Sequence, residues 1–225
     1  MTRPPAWREV AAGYDAAAAG YDQRHDDPPT AARARVIDRV LVGATRGATT
    51  VVEIGVGTGR LLAQVAAPTR IGVDVSARML AVAHARGLAV VRADGHALPL
   101  ADGAVDAVIA GKGSLRYLAP ALALAECARV LRPGGVVAFH LYGGRTWRPG
   151  HVPAPPTGLW EPASTSALRA TLATAGFQVQ RLVLLRPIRI YPYFIVIPAM
   201  VDRRSPVQLW SHVAVVARRP IVGPP

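Results

Sequence analysis

The stretch VVEIGVGTGR, residues 51–60, places three glycines at alternating positions directly after an apolar run of strand length. Gly55, Gly57 and Gly59 put no side chain between the backbone and a ligand. A flat or anionic group can therefore lie against this turn and against the N-terminus of a following helix. Because a tight structural turn also uses glycine, the turn alone is a weak indicator of function.

The residues around this turn decide between ligand classes. The dinucleotide fingerprint has glycine at the sixth position of the turn, where this chain has Arg60, and this disfavours a nicotinamide cofactor. No lysine is followed by serine or threonine, which excludes a phosphate-gripping P-loop. Asp74 ends the next predicted strand, 19 residues after Gly55, where a carboxylate accepts hydrogen bonds from both ribose hydroxyls. The pattern predicts a bound nucleoside.

Apolar runs of strand length alternate with helical patterns along most of the chain, which predicts an α/β fold with a doubly wound, mostly parallel sheet of seven strands. The predicted strands are residues 50–54, 70–74, 89–92, 105–110, 136–141, 177–185 and 210–217. The predicted helices are residues 58–65, 76–86, 120–131 and 164–175. An N-terminal helical cap precedes them, with a break at Pro28 and Pro29.

We expect one domain with three parts. Residues 1–45 form the helical cap, 46–142 the cofactor-binding half and 143–225 the substrate-side half. The last part contains a lid loop, 143–162, which is rich in glycine and proline, and an apolar insertion, 186–207.

Charge and cysteine content limit the classes of partner and compartment. The formal net charge is +12, but the basic residues are scattered singly or in pairs, and all except Lys112 are arginine. This favours a compositional bias and a solvated surface over a nucleic-acid footprint. The single cysteine, Cys127, excludes an intrachain disulfide and favours a buried apolar role.

The N-terminus and the apolar stretches predict a cytoplasmic protein. Arg3, Arg8 and Glu9 interrupt the apolar run that a secretory signal requires. The longest apolar stretch, residues 187–201, is too short to span a bilayer and holds three prolines.

Four segments, in order, resemble the class I methyltransferases that use S-adenosylmethionine. They are EIGVGTGR (53–60), IGVDVSARML (71–80), VVRADGHALPLADGAVDAVIA (90–110) and RVLRPGGVV (129–137). Each segment is common alone, whereas their order and spacing are specific, and the resemblance covers about two-thirds of the chain plus the final strands. It implies a Rossmann-like methyltransferase fold and S-adenosyl-L-methionine as the cofactor.

The resemblance assigns cofactor roles to matching positions. The wall against the methionine moiety would be formed by Glu53, Gly55, Gly57 and Gly59. Asp74 would bind the ribose, and Met79 would pack on one face of the adenine.

Later segments carry the remaining roles. Asp94 would accept a hydrogen bond from the adenine amino group, while Gly95 and His96 would offer backbone contacts. Residues 111–113, Gly-Lys-Gly, lie where the cofactor's sulfonium would face the substrate, and Gly111 is counted among the cofactor contacts. Nucleic-acid amino methyltransferases have a proline-aromatic motif there, and its absence from residues 111–113 disfavours DNA amine methylation.

The string YDAAAAGYD, residues 14–22, resembles a segment of small-molecule methyltransferases of the quinone and natural-product branch. Two helical turns would place Tyr14 and Tyr21 on one face, which closes over the cofactor in the resembling enzymes. The alternative is that both tyrosines are core residues that anchor the cap.

Histidine is the first choice for a general base toward a phenol or hydroxyl acceptor, although methyl transfer can proceed without one. His140, at the carboxyl end of the fifth predicted strand, is our first candidate, followed by His25 and His151. A structural, hydrogen-bonded His140 is the alternative. The histidines and carboxylates show no metal-ligand spacing, so we expect no metal.

We expect a methyltransferase that acts on a small, apolar or aromatic molecule in secondary or quinone-like metabolism, with oxygen, nitrogen or carbon as acceptor. The apolar insertion could form the acceptor pocket, a dimer interface or core. Three alternatives stay open: phospholipid headgroup methylation with peripheral membrane contact, RNA methylation with the charge as its only support, and cofactor binding that promotes a cyclisation. Both a monomer and a homodimer are compatible with the sequence.

Overall fold

A computed structural model describes residues 7–25, 28–142, 164–190, 193–199 and 212–221. Its strands are β1 (Thr50–Ile54), β2 (Thr69–Asp74), β3 (Ala89–Arg92), β4 (Val105–Ala110), β5 (Leu131–Tyr142), β6 (Gln178–Ile190), β7 (Tyr193–Ala199) and β8 (His212–Arg218). They form one sheet in the order β3-β2-β1-β4-β5-β8-β6-β7.

Strand direction divides this sheet into two halves. Strands β3, β2, β1, β4 and β5 pair in parallel, while β8, β6 and β7 continue the sheet with antiparallel pairs. The predicted doubly wound, mostly parallel sheet is confirmed, and β7 adds an eighth strand at one edge. The start of the predicted apolar insertion extends β6 to Ile190, which pairs with Tyr193. Residues 200–207 of the insertion lie outside the described residues, and so does the predicted lid loop, residues 143–162.

Helices cover both faces of the sheet. They are α1 (Trp7–Ala17), α2 (Pro28–Ala44), α3 (Ala77–Ala85), α4 (Pro120–Val130) and α5 (Thr165–Thr174). One core contains Leu124 of α4 and Leu168 of α5. The other contains Leu41 of α2 and Leu80 of α3. Among the described residues, no helix is both long enough and apolar enough to cross a bilayer.

Two predicted elements differ from the structure. The helix predicted at 58–65 is only a 3₁₀ turn, Leu62–Gln64, because Gly59 and Pro68 leave too short a segment to sustain an α-helix. Strand β5 begins at Leu131, where the sequence predicts a turn over residues 132–135. There the Gly134 N–H donates to the Arg219 carbonyl at 2.9 Å, so pairing beyond β8 draws the segment into the sheet, while Gly134 itself has a positive φ of 79°.

Candidate functional site: a cavity at the carboxyl ends of the parallel strands

A cavity lies where the parallel strands β1, β2, β3 and β4 end, and α1 covers part of it. Its open space, counted out to the solvent at its mouth, is about 990 Å³. Ligands of open α/β sheets bind at this edge, since the loops that leave neighbouring strands diverge there. The described residues that line it include Tyr14, Tyr21, Glu53, Gly55, Gly57, Asp74, Asp94, Gly95, His96 and Gly111.

The glycine turn after β1 forms one wall of the cavity, and its three glycines have different structural roles. All three have positive φ, at 67° for Gly55, 54° for Gly57 and 83° for Gly59. A Cβ on Gly55 would lie 2.5 Å from the Ser114 Cβ, whereas one on Gly57 would meet nothing within 4 Å. A Cβ on Gly59 would lie 2.5 Å from the Leu88 side chain, so Gly59 serves packing and does not appear in the cavity lining.

Asp74 connects the end of β2 to the glycine turn. Its Oδ2 accepts the Gly57 N–H at 2.8 Å, and its Oδ1 accepts the Ser76 N–H at 2.9 Å. Burial raises the pKa of this carboxyl, while the backbone N–H donors act in the opposite direction. The Val75 N–H also acts on this carboxyl, and the acceptor capacity that remains can receive a ligand hydroxyl.

Asp94 and His96 form a locked pair in the loop after β3. The Ala119 N–H donates to His96 Nε2 at 2.8 Å, so the ring proton lies on Nδ1 and donates to Asp94 Oδ1 at 2.7 Å. The His96 N–H also donates to Asp94 Oδ1, at 3.0 Å. These bonds occupy one carboxylate oxygen and leave the other to accept from a ligand. The His96 backbone N–H, which the sequence assigns to the cofactor, is engaged by Asp94.

Glu53, at the end of β1, is a buried carboxylate with one unsatisfied oxygen. The residue is 3% exposed, and its Oε2 has no hydrogen-bond partner among the described residues. Burial raises the pKa of Glu53, while a backbone hydrogen bond from Leu62 and the charge of Lys112 lower it. A buried acceptor without a partner at a cavity wall is a receptor for a donor group of a ligand.

Two carboxylates fasten the N-terminal segment over this cavity. Asp15 of α1 accepts the Ser76 hydroxyl at 2.6 Å and the Arg78 N–H at 2.9 Å, at the start of α3. Asp22 accepts the Thr58 hydroxyl, at 2.7 Å, from the glycine turn itself. The segment is therefore positioned by the same residues that shape the cavity.

Four tyrosines form a cluster at the end of the cavity near the glycine that follows β4. The Tyr14 ring lies 6.0 Å from that of Tyr21 and 5.8 Å from that of Tyr117, and the Tyr14 hydroxyl donates to the Tyr117 hydroxyl at 3.1 Å. Burial raises the pKa of each of these tyrosines and of Tyr142, so all four are neutral donors at neutral pH. Helix α1 ends at Ala17, before Gly20, so the rings meet across a turn and not along the predicted continuous helix.

The structure places Met79 and the histidine candidates apart from the cavity lining. Met79 is fully buried on α3. His140 is 1% exposed, and its Nε2 lies 3.0 Å from His212 Nδ1, beneath the ring of Tyr142. Burial lowers the pKa of His140, so it is neutral there. The side chain of His25 and all of His151 lie outside the described residues.

Several lining residues come from positions that our sequence reasoning gave no role. They include Trp7 of α1 and Tyr117, which follows β4; Lys112 also lines the cavity, within the stretch 111–113 that the resemblance places opposite the substrate. Lys112 stands out in the sequence because it is the single lysine, and it lies two residues after β4, which ends at this edge of the sheet. Trp7 and Tyr117 carry no comparable signal, because aromatic residues at helical spacing are common in cores.

The comparison with known protein families points to the same part of the chain. Residues 52–139, which run from β1 through β5, match a family model described as a methyltransferase domain. The sheet and its flanking helices have the Rossmann-like methyltransferase fold, and residues 52–139 are similar to a methyltransferase domain. None of the curated proteins matches it at a significant level.

Solved structures of methyltransferase-fold proteins superpose on nearly the whole chain. An S-adenosylmethionine-dependent methyltransferase from Thermotoga maritima, described as a possible histamine N-methyltransferase, is 19% identical with a TM-score of 0.67, over 93% of this chain and 99% of that one. The [4+2]-cyclase SpnF is 19% identical with a TM-score of 0.68, over 99% of both chains. A chain from the complex of the Haloferax volcanii Trm112 methyltransferase activator with a methyltransferase is 22% identical, with a TM-score of 0.67 over 98% and 100%. At these identities the likeness shows the fold alone.

Proposed function

We propose that this methyltransferase-fold chain binds S-adenosyl-L-methionine and transfers its methyl group to a small, apolar or aromatic acceptor. The observation that carries the cofactor assignment is Asp74, a carboxylate held by two backbone N–H groups at the cavity wall with acceptor sites left for a ribose. The residues fit the rest of the cofactor. Gly57 has an open Cβ position, and Glu53 has a buried acceptor without a partner.

Each contact can be matched to one part of the cofactor. Asp94, with one oxygen engaged by His96, would accept from the adenine amino group, and Asp74 would hold the ribose hydroxyls. Glu53 and the Gly55 and Gly57 backbone would hold the methionine moiety. When bound, the cofactor supplies an activated methyl group with a neutral leaving group. The chain then contributes mainly orientation and exclusion of water.

The tyrosine cluster supports an apolar or aromatic acceptor. Tyr14, Tyr21 and Tyr117 present ring surface at the cavity end where the chain leaves β4. Tyrosine rings pack well on flat apolar molecules, and their neutral hydroxyls can donate hydrogen bonds to an acceptor. We further propose that the lid loop, residues 143–162, belongs to this substrate-side half.

The test is calorimetric titration with S-adenosylmethionine and with its demethylated product S-adenosylhomocysteine, using the wild type and Asp74→Ala. The alanine variant loses the ribose acceptor and leaves two N–H groups unpaired, so its affinity should fall at least roughly 100-fold, or about 3 kcal/mol. NADH is the control ligand and should not bind. Absence of binding by the wild type would overturn the proposed cofactor.

A second candidate function is cofactor binding that promotes a cyclisation without methyl transfer. The structural similarity to a [4+2]-cyclase, over 99% of both chains, supports this second candidate function. Release of S-adenosylhomocysteine during turnover of an acceptor supports transfer, whereas conversion of the acceptor without that release supports cyclisation.

A further inference from the structure

Lys112 is the one lysine of a chain that otherwise uses arginine at every basic position. It follows β4 by two residues and lines the cavity, and its Nζ lies 6.0 Å from the centre of the Tyr21 ring. An arginine at this position would supply a permanent positive charge. A lysine can lose its proton, which arginine in proteins does not do.

The backbone at Lys112 is held in an uncommon conformation. Its φ is 48°, and it is the one residue other than glycine with positive φ among those that the structure describes. Gly111 and Gly113 flank it, with Gly113 packed against Tyr142 and Gly111 against Leu61. A lysine that the surrounding structure holds in this conformation at a cavity wall is consistent with a side chain aimed at a ligand.

The charges around Lys112 come from four elements. Burial and the charge of Arg60, beyond the glycine turn, lower the pKa of the Lys112 amine, while Asp38 of α2, Asp22 and Glu53 of β1 raise it. Within the described residues its Nζ forms no ion pair; its recorded side-chain contact is the face of Tyr21. Because burial outweighs these carboxylates and none of them pairs with the amine, Lys112 loses its proton more readily than a solvated lysine.

We propose that Lys112, as the free amine, is the general base that takes the proton from the hydroxyl of a phenol-type acceptor. The proposal rests on the methyltransferase function above. Tyr21 lies against the amine, and Tyr14 and Tyr117 continue the aromatic surface from there. A flat ring packed on these tyrosines would direct its hydroxyl toward Lys112.

The transfer balances in one step. The O–H bond of the acceptor breaks, and its proton goes to the lone pair of Lys112 Nζ. The oxygen forms the new bond to the methyl carbon while the carbon-sulfur bond breaks, and that electron pair stays on sulfur. The resulting Lys112 ammonium returns its proton to solvent. His140, buried beneath Tyr142, does not take part.

The first test measures the amine directly. Reductive ¹³C-methylation labels two sites, Lys112 and the N-terminal amine, and Lys112→Arg identifies the Lys112 resonance by removing it. With S-adenosylhomocysteine bound, we expect that resonance to titrate below the usual lysine pKa of about 10.4. Titration at or above the usual lysine value would overturn the proposal, because an ammonium cannot accept a proton.

The second test separates a base from a fixed charge. Lys112→Arg keeps the charge, and Lys112→Asn removes it while tolerating positive φ. We expect both variants to bind S-adenosylhomocysteine within about threefold of the wild type and to lose on the order of 100-fold or more in kcat with weakly acidic phenols. With 4-nitrophenol, which ionises without help, the loss should be below about tenfold.

Other outcomes contradict the proposal in distinguishable ways. Wild-type activity in Lys112→Arg would make Lys112 a charge anchor and not a base. Weakened S-adenosylhomocysteine binding in Lys112→Asn alone would place its role on the cofactor. If the wild type binds the cofactor but methylates none of the phenols, the acceptor class is wrong. If the wild type does not bind the cofactor at all, the proposed methyltransferase function is itself wrong, and the role proposed for Lys112 is wrong with it. Thermal unfolding of each variant checks that the fold is retained.

Discussion

At the glycine-turn end of the cavity, the bonds that fix Asp74 and Asp94 join residues near one another in sequence, whereas at the tyrosine end the bond between Tyr14 and Tyr117 joins residues about a hundred positions apart. Asp74 lies 17 residues from Gly57, and His96 lies two from Asp94. Tyr14 and Tyr117 are separated by 103 positions. A short motif can specify the first kind of contact, while the second depends on how α1 settles on the finished sheet.

The two ends also differ in what they offer a ligand. The glycine-turn end presents backbone and fixed carboxylates, which suit a ligand of defined polar pattern. The tyrosine end presents rings, neutral hydroxyls and the amine of Lys112. We therefore expect changes at the glycine turn to affect folding or cofactor affinity, and changes at the tyrosine end to affect the acceptor.

The largest expected effect comes from Gly55→Ala. The added Cβ would lie 2.5 Å from the Ser114 Cβ, and φ at this position is 67°. Overpacking and left-handed strain together should lower the free energy of unfolding by about 2–4 kcal/mol. Urea denaturation measures the change.

Two variants show whether the close approach of Gly55 to Ser114 causes that loss. Adding Ser114→Gly to Gly55→Ala removes the clashing atoms and should restore about 1–2 kcal/mol. Gly57→Ala, whose Cβ meets nothing within 4 Å, should cost only about 1 kcal/mol while still weakening S-adenosylhomocysteine binding. Equal destabilisation by both alanine variants would show that strain alone is responsible.

The contrast between the two ends explains what could be predicted from the sequence. The parallel strands and the positions of Gly55, Asp74 and Asp94 follow from apolar runs and short motifs, because both are encoded over about twenty residues. The apolar spacing predicts a helix over residues 58–65, but the structure has only the 3₁₀ turn Leu62–Gln64. Spacing alone does not take into account that Gly59 and Pro68 shorten the segment available for a helix.

The parts that could not be predicted depend on long-range packing. The resemblance assigns Met79 to adenine; the structure shows it fully buried on α3, and its contact with adenine stays a prediction. The contact of His140 with His212 joins two strands at residues 72 positions apart. No sequence motif and no hydrophobic periodicity predicts this contact. Lys112 could have been singled out by composition, but its contact with Tyr21 depends on how the segment after α1 packs on the sheet.

The paired histidines beneath Tyr142 provide a pH-dependent test of the tyrosine end. Burial lowers the pKa of His212 to about 4 and that of His140 well below its usual value. The unfolded chain therefore binds protons that the folded chain does not. Stability that is present above about pH 6.5 is lost as the pH falls toward 4; His212 alone accounts for roughly 2 kcal/mol of this loss between pH 6.5 and 4.5, and His140 adds to it.

His212→Asn keeps a polar side chain that does not titrate, so the slope of unfolding free energy against pH should become shallower in this window. His84→Asn, at an exposed position on α3, controls for the loss of an imidazole as such. Denaturation at intervals between pH 4.5 and 7.5 gives both slopes. The same slope for His212→Asn and the wild type would exclude this pair as a source of acid lability.

The smallest effect concerns the hydroxyl pair that joins α1 to the turn after β4. Tyr14→Phe removes the 3.1 Å bond to the Tyr117 hydroxyl but keeps the ring contacts, so it should cost about 0.5–1.5 kcal/mol of unfolding free energy. If the two hydroxyls act as a pair, Tyr14→Phe combined with Tyr117→Phe should cost little more than one change alone, and a double-mutant cycle by denaturation measures that coupling. Additive costs would mean that the rings, and not the hydroxyl bond, hold the cap against the sheet, and the tyrosine end would then be an apolar surface with no fixed polar contact.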